Sequence, residues 1–459
     1  MLTALMAVVG SLGAPLIVVV ADTYDVSTAT AQWTISLAYL TGAATMPVIS
    51  WLASTRFRRP TTLVVVGLVC LGSVGGALDL GFEVLLIGRC LQGLGLGLVP
   101  VAIATARDAL VGVRRSRAIA SLSVTNIVAG GVAFALVGLL VDIGGPHLAY
   151  GIAALSTLAT FFLVSWAMPR HVPDLVARPP DVVGTVLLAT GGAGSLLALS
   201  QGARWGWLSP ATIVVALVSV AAIAAWLVWL SGWSSHPFMN LRLARTPIPL
   251  AVYVTSFTVG TGMYIIIPLA IVLAQTPTDT GWGLGLSVAQ AGLLILPYAT
   301  ASVLGSRLSG SFHGRVKPQI WLPVGCSIYA LAAAVLLVWH AEWWQLFAAM
   351  AVAGLGGGLS VAQMPGLLVM SVPPEETGPA IGFALVIRLL GFSVGSALVG
   401  VVLSPHSDNA VPSTAILERG LVLNAGWWAL AAVGAALLVA FHRTVANEAG
   451  DRPSSQDAT

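Results

Sequence analysis

The sequence predicts an all-α polytopic membrane protein with fourteen transmembrane helices and both termini in the cytoplasm. Three observations carry that expectation: an apolar excess, apolar runs of membrane-crossing length, and a one-sided placement of basic residues. Apolar residues make up 57% of the 459-residue chain and charged residues 8%, against roughly 45–50% and about 25% in soluble domains. Such a chain has too little polar surface to cover itself in water.

Runs of about 20 apolar residues, enough to cross a hydrocarbon core of about 30 Å as helices, define spans 1 to 14. They fall at 2–21, 33–52, 62–80, 82–106, 117–141, 148–168, 182–201, 211–232, 250–274, 288–308, 321–339, 344–364, 378–403 and 421–441. Basic residues stay on the cytoplasmic side during insertion. With the N-terminus inside, sixteen of the 20 Lys and Arg lie in inner loops, Arg204 and Arg419 lie outside, and Arg89 and Arg388 lie within spans. Trp33, Trp51, Trp166, Trp205, Trp207, Trp282, Trp321, Trp339 and Trp343 sit near span ends, as interfacial anchors do. Span 1 begins at Leu2 without a basic leader or a small-residue cleavage site, so it reads as a retained helix.

The same features exclude several function classes. The net charge of +3 follows from the loop bias and points to no nucleic-acid surface. Cys70, Cys90 and Cys326 fall singly within spans and read as packing residues, with no disulfide or metal spacing. No span carries a Cys/His pair, a carboxylate pair or a phosphate-binding loop. The expectation is therefore a membrane protein that is not an enzyme, needs no metal or cofactor, and works as a monomer among lipids.

An internal repeat organises the spans. Span 5 reads AIASLSVTNIVAGGVAFALVGLLV from Ala118, and span 13 reads AIGFALVIRLLGFSVGSALVGVVL from Ala380, an ungapped match at an offset of 262. GLGLGL from Gly93 matches GLGGGL from Gly354 at an offset of 261. Eight spans separate the copies, an even number, so both cross the membrane in the same direction, as parallel transporter repeats do. The expected organisation is a six-helix half over 1–168, a linker with inserted spans 7 and 8 over 169–248, a second half over 249–441, and a disordered cytoplasmic tail over 442–459. The polar stretch PRHVPDLVARPPD, from Pro169 to Asp181, is the linker ahead of the inserted pair.

These segments resemble those of the fourteen-helix drug:proton antiporters of the major facilitator superfamily, and the likeness covers nearly the whole chain. RPPDVVGTVLLATGGAGSLLALSQGARWGWLSP (178–210) and HPFMNLRLAR (236–245) are similar to the segments flanking the inserted helices of that family. AQAGLLILP (289–297) and VPPEETGPAIGFALVIRLLGFSVG (372–395) resemble its tenth and thirteenth helices, and Arg89, Gln92 and Gly93 match R-x-x-Q-G in its fourth. The resemblance implies a major facilitator fold in a 6 + 2 + 6 arrangement. It also implies export of hydrophobic small molecules from a cell membrane by alternating access, coupled to protons. The chain departs from the family at three places. Its second loop, SWLASTRFRR, keeps Leu52, Arg58 and Arg59 but has Ser54 where the family has an aspartate. Ala133 and Phe134 replace the Gly-Pro of the span 5 pattern, and Val9 stands where span 1 of the family carries an acid.

Polar residues inside the spans mark the expected substrate cavity: Arg89, Gln92, Asn126, Tyr264, Tyr298, Gln363 and Arg388. Facing lipid unpartnered, such groups are costly. Arg89 lies seven residues past Phe82, roughly 10 Å below the outer surface at about 1.5 Å per residue. Two readings of it stand side by side, substrate contact and donation to backbone carbonyls of span 5 or span 1. At the offset of 262 Asn126 aligns with Arg388, and the two are expected to flank one central site. A fixed cation there without an embedded acid disfavours cationic guests and admits neutral or anionic ones. Arg56, Arg58 and Arg59 form the expected gating loop. All 17 carboxylates fall in loops or at span edges, which leaves Asp22, Glu83 and Asp142 as candidates for proton coupling. Two further functions stay open at the level of sequence: a dedicated metabolite transporter uncoupled from protons, and a non-transporting membrane sensor or scaffold on the same fold.

Overall fold

The computed structural model describes residues 5, 9–53, 56–109, 112–168, 181–233, 241–312, 315–373, 376–403 and 414–450; along 106–128 and 441–450 it describes the backbone alone. Regular structure among the described residues is helical, with no strand. That is what a bilayer demands, because a helix satisfies its own backbone where no water is present. Among the described residues ten helices are long and apolar enough to cross a membrane, and three shorter apolar helices cover Val9–Thr23, Trp33–Ile49 and Val182–Ala198.

One of the ten, Ala129–Ala167, runs from within span 5 into span 6. Between them the backbone leaves the helical region at Gly144 (φ −147°) and Gly145 (φ 70°), and Pro146 follows. Gly145 takes a left-handed conformation that a side chain would strain, and proline, lacking an N–H, suits the first turn of the helix that begins there. The connection is so tight that no polar loop announces it. The final helix, Thr414–Gly450, continues past Phe441 into the stretch expected to be disordered. The linker from 169 to 180 and the residues after 450 lie outside the described residues.

Glycines set the closest helix approaches. A methyl group at Gly93 would overlap the Ala38 carbonyl, and one at Gly354 would overlap the Tyr298 carbonyl. The contact of span 4 with span 2 is thus repeated by span 12 with span 10, at positions that follow the sequence repeat. Gly358 lies in the same way against the Ser302 carbonyl. Small residues let backbones approach this closely, which is how helices gain packing in lipid without a hydrophobic drive.

Span 9, in helix Pro247–Gln275, is 83% buried over its most apolar stretch, whereas span 8, in helix Pro210–Ser231, is 22% buried. The first therefore runs through the protein and the second along its outside. Spans 3, 6 and 14 likewise turn large apolar side chains outward, among them Leu71, Leu155, Phe162 and Leu430. Span 7 joins the rest of the molecule through Gly192, which faces Leu40 of span 2 and Leu390 of span 13. Leu196 packs with Leu40 and Ala397 in one buried cluster. Span 7 thereby lies across the line where spans 2 and 13 meet.

Candidate functional site

Arg89 is 1% exposed and its charge is spread over fixed oxygens. Nε donates to the Thr34 carbonyl at 2.8 Å, and Nη1 donates to the Val9 carbonyl at 3.3 Å and to Gln92 Oε1 at 2.6 Å. Gln92 Nε2 donates to Ser73 Oγ at 3.0 Å, and that hydroxyl donates to the Val69 carbonyl at 2.9 Å. Spans 1, 2, 3 and 4 are tied by this one chain of bonds. Gly13 makes room for it, since a Cβ there would stand 3.2 Å from Arg89 Nη2. Where the family resemblance leads one to expect an acid, Val9 offers its backbone carbonyl.

Spans 1–6 meet spans 9–14 along two seams. On the first, Ser393 Oγ donates to the Ser36 carbonyl at 2.6 Å, and Ser396 Oγ donates to Gln32 Oε1 at 2.9 Å. On the second, Gly138 of span 5 lies against Val288 and Gly292 of span 10 lies against Phe134, both closely enough to exclude a methyl group. The Asp142 carboxylate accepts the backbone N–H of Val288 at 3.2 Å and of Ala289 at 3.1 Å. Gln275 Nε2 donates to the Pro15 carbonyl at 3.0 Å, between spans 9 and 1. These crossing bonds lie toward the face that carries Asp22 and Thr278.

Deeper along the first seam, the hydroxyls of Tyr39 and Tyr264 meet in a hydrogen bond. Phe392 packs on both rings, with centroids 5.0 Å and 4.6 Å away. Arg388 lies one helical turn beyond Phe392. Its Nη2 contacts Met364 Sδ at 3.3 Å, its Nε is buried without a hydrogen-bond partner, and the residue as a whole is only partly buried. Nearby, Tyr298 and Tyr329 share a hydroxyl hydrogen bond of 2.6 Å, and Tyr298 also reaches Met263 Sδ at 3.5 Å. Tyr329 stacks flat on Trp428, centroids 3.8 Å apart. Among the described residues no carboxylate pairs with Arg388.

The expected cavity residues thus divide. Arg89 joins Gln92, Tyr264 joins Tyr39, and Tyr298 stands near Arg388. Gln363 is turned away to Ser309 Oγ, 2.8 Å from its Nε2. Asn126 has a helical backbone, and its side chain lies outside the described residues. In the loop, Arg56 is exposed and stands 5.0 Å from the Phe57 ring, and Arg58 is buried at 3% exposure. Arg59 Nη2 donates to the Ser165 carbonyl at 2.5 Å, a bond that stays within spans 1–6. Ser54 lies outside the described residues. Asp22 and Glu83 are exposed, and neither is brought to Arg89. Beside them, burial first and then the hydrogen bond and charge of Asp79 push the Tyr24 hydroxyl up to about 12.

Sequence reasoning missed Tyr329, Ser393, Ser396 and Met364. A lone hydroxyl in an apolar run gives only a weak signal, and Met364 gives none, because a methionine there reads as packing.

A family model described as Major Facilitator Superfamily matches residues 1–253 and 252–458. The chain is 28% identical over 403 residues to the "Multidrug resistance protein Stp" of Mycobacterium tuberculosis, covering 83% of this chain and 72% of that protein. It is 27% identical over 377 residues to the "Putative multidrug resistance protein MdtD" of Cronobacter sakazakii, covering 81% and 77%. Among solved structures it superposes on the POT family transporter PepTSo with a TM-score of 0.68 at 16% identity, over 96% and 97% of the two chains, a likeness of fold alone. With the family matched along its length, this chain belongs to the Major Facilitator Superfamily, as a multi-pass transporter of the cell membrane.

Proposed function

We propose that the chain exports hydrophobic small molecules by alternating access, driven by protons and as a monomer. Multidrug resistance proteins among its relatives support efflux of this kind. The observation that carries the mechanism is the Tyr39–Tyr264 contact capped by Phe392. It joins spans 1–6 to spans 9–14, with tight seams on one side and the partly exposed Arg388 group on the other. A central site covered from one face is what a rocking of two halves requires.

In this reading the halves are 1–168 and 249–441, with 169–248 inserted between them. Fourteen helices cross the membrane once Ala129–Ala167 is divided at Gly145 and the three shorter helices are counted. Both termini are cytoplasmic. Arg388, Tyr298, Tyr264 and Asn126 line the central site. Arg89 and Gln92 hold the first four spans in register beside it, and Arg56, Arg58 and Arg59 border the inner gate.

Protons have no carboxylate to ride on inside the spans, so coupling falls to Asp22, Glu83 and Asp142 at the outer ends. Flux of a hydrophobic dye into or out of proteoliposomes under an imposed pH gradient tests both parts. Gradient-driven flux in the unmodified protein, abolished when all three acids are replaced by their amides, is the expected result. Full coupling in that triple variant would remove these carboxylates from the mechanism, and no flux of any hydrophobe would remove the transport reading itself.

A further inference from the structure

Arg388 lies eleven residues into helix Thr377–Val402, about 16 Å along it at about 1.5 Å per residue, and so near the middle of a core about 30 Å thick. A guanidinium carries five N–H donors and is charged at any physiological pH. Of these, Nη2 meets only a thioether sulfur, at 3.3 Å, which is a weak acceptor. Nε meets nothing. Arg89 shows by contrast what a completed intramembrane arginine looks like in this fold, with two carbonyls and an amide oxygen as acceptors. A guanidinium near the middle of the core with so few acceptors is expensive even when partly buried, and among the described residues no carboxylate pairs with it. A guest that brings an oxyanion would supply the acceptor that the described residues do not.

The neighbouring hydroxyls point the same way. In the Tyr298–Tyr329 pair one O–H serves the other oxygen, so a single proton remains to be donated onward. In the structure Tyr298 directs it at Met263 Sδ, 3.5 Å away, a poor exchange for a hydroxyl. An oxyanion seated on the guanidinium would offer that proton a stronger acceptor. The side chains packed on these donors are apolar and aromatic, Met364 on Arg388 and Trp428 on Tyr329, and suit the hydrocarbon part of a guest.

We propose that Arg388, with the Tyr298–Tyr329 hydroxyl pair, is the anion-recognising end of the substrate site, and that the chain carries lipophilic anions such as aromatic carboxylates and phenolates. The acidic group seats on Arg388 and the ring system lies among the thioethers and Phe392. The proposal deepens the transport reading above and rests on it.

Binding of 1-naphthoate and of its neutral isostere 1-naphthamide, measured by calorimetry on the full chain in lipid nanodiscs, tests it. The naphthoate is expected to bind about tenfold tighter or more, the usual worth of a charge-assisted hydrogen bond. Arg388→Gln should erase that preference, with the fold of the variant certified by an unchanged melting temperature in nanodiscs, and Arg388→Lys should retain part of it. Equal affinity for the two probes in the unmodified protein overturns the proposal even if Arg388→Gln does not insert. A naphthoate preference that survives in Arg388→Gln overturns it as well. Chloride is the other source of the same charge. If chloride raises the melting temperature of the unmodified protein and naphthoate cannot displace it, the cation serves a resident inorganic anion and the proposal falls. Flux separates the two levels: naphthamide carried as well as naphthoate defeats the anion site alone, whereas no hydrophobe carried at all defeats the transport reading.

Discussion

Asp142 at the end of span 5 caps the start of span 10 across the seam, its carboxylate accepting the Val288 N–H at 3.2 Å and the Ala289 N–H at 3.1 Å. The first N–H groups of a helix lack partners of their own and carry the positive end of its dipole. A negative side chain from the opposing six helices therefore holds the seam by both charge and hydrogen bonding. Gly138 and Gly292 permit the approach by leaving backbone against backbone.

Replacing Asp142 by Asn keeps an acceptor oxygen and removes the charge, so the seam should open more often. The cap is exposed to solvent and screened, which limits the shift to about twofold in population. Spin labels at Ile143 and Asp279, both on this face, report the change as a longer distance component. An unchanged distance distribution in Asp142→Asn would deny the latch any part in gating.

Arg89→Ala should act on stability first. It takes the charged donor away from the Thr34 and Val9 carbonyls, leaves Gln92 Oε1 without its guanidinium partner in a dry region, and opens a space beside Gly13. The expected loss is roughly 2 kcal/mol or more, read as a lower melting temperature in detergent. Arg89→Lys should recover a part only, because one ammonium cannot span the same fork of acceptors. A melting temperature equal to that of the unmodified protein would place the arginine's worth elsewhere, in contact with substrate.

Much of this arrangement is legible in the sequence, and the limits have physical reasons. Arg89 and Gln92 are three residues apart on one helix, so their bond follows from helical period. The carbonyls of Val9 and Thr34 that complete it do not, because every residue has a carbonyl and only the fold selects two of them. The glycines of spans 4 and 12 announce close packing, and the repeat even aligns the two contacts with Ala38 and Tyr298. Asp142 is legible as an acid at a span end, but its cap on span 10 joins positions 146 residues apart. Tyr329 reads as one more aromatic packing residue until the fold brings Tyr298 beside it. The division of spans 5 and 6 lies in the Gly144–Gly145–Pro146 sequence, although the turn is too short to place any polar loop.

Topology offers a separate check on the fourteen-span reading. Reporter fusions after Arg115 and Ser309 should be active in the cytoplasm, and fusions after Thr28, Thr278 and Asn409 should be active outside. The informative position is Thr278, which follows span 9 and so has nine crossings before it. A cytoplasmic Thr278 would mean that one of the first nine spans does not cross, the short helices Val9–Thr23 and Val182–Ala198 being the first to doubt.

The glycine contacts yield a paired prediction in which local and tertiary effects have opposite signs. In an unconstrained helix Gly→Ala is favourable by up to about 1 kcal/mol, because alanine loses less backbone freedom on folding. A Cβ placed on Gly366 would meet nothing within 4 Å, so Gly366→Ala should leave stability unchanged or raise it. At Gly358 the Cβ would overlap the Ser302 carbonyl, a backbone atom that cannot swing aside, and spans 10 and 12 must separate to admit it. Forcing one methyl into such a contact costs roughly 1–3 kcal/mol, enough to outweigh the propensity gain. Gly358→Ala should therefore melt below the unmodified protein while Gly366→Ala does not, and because Tyr298 lies one turn from Ser302, the first substitution should also weaken naphthoate binding. Equal melting temperatures for the two variants would mean that spans 10 and 12 are not packed backbone to backbone, and that the Tyr298–Tyr329 pair is not held in place by the glycine face.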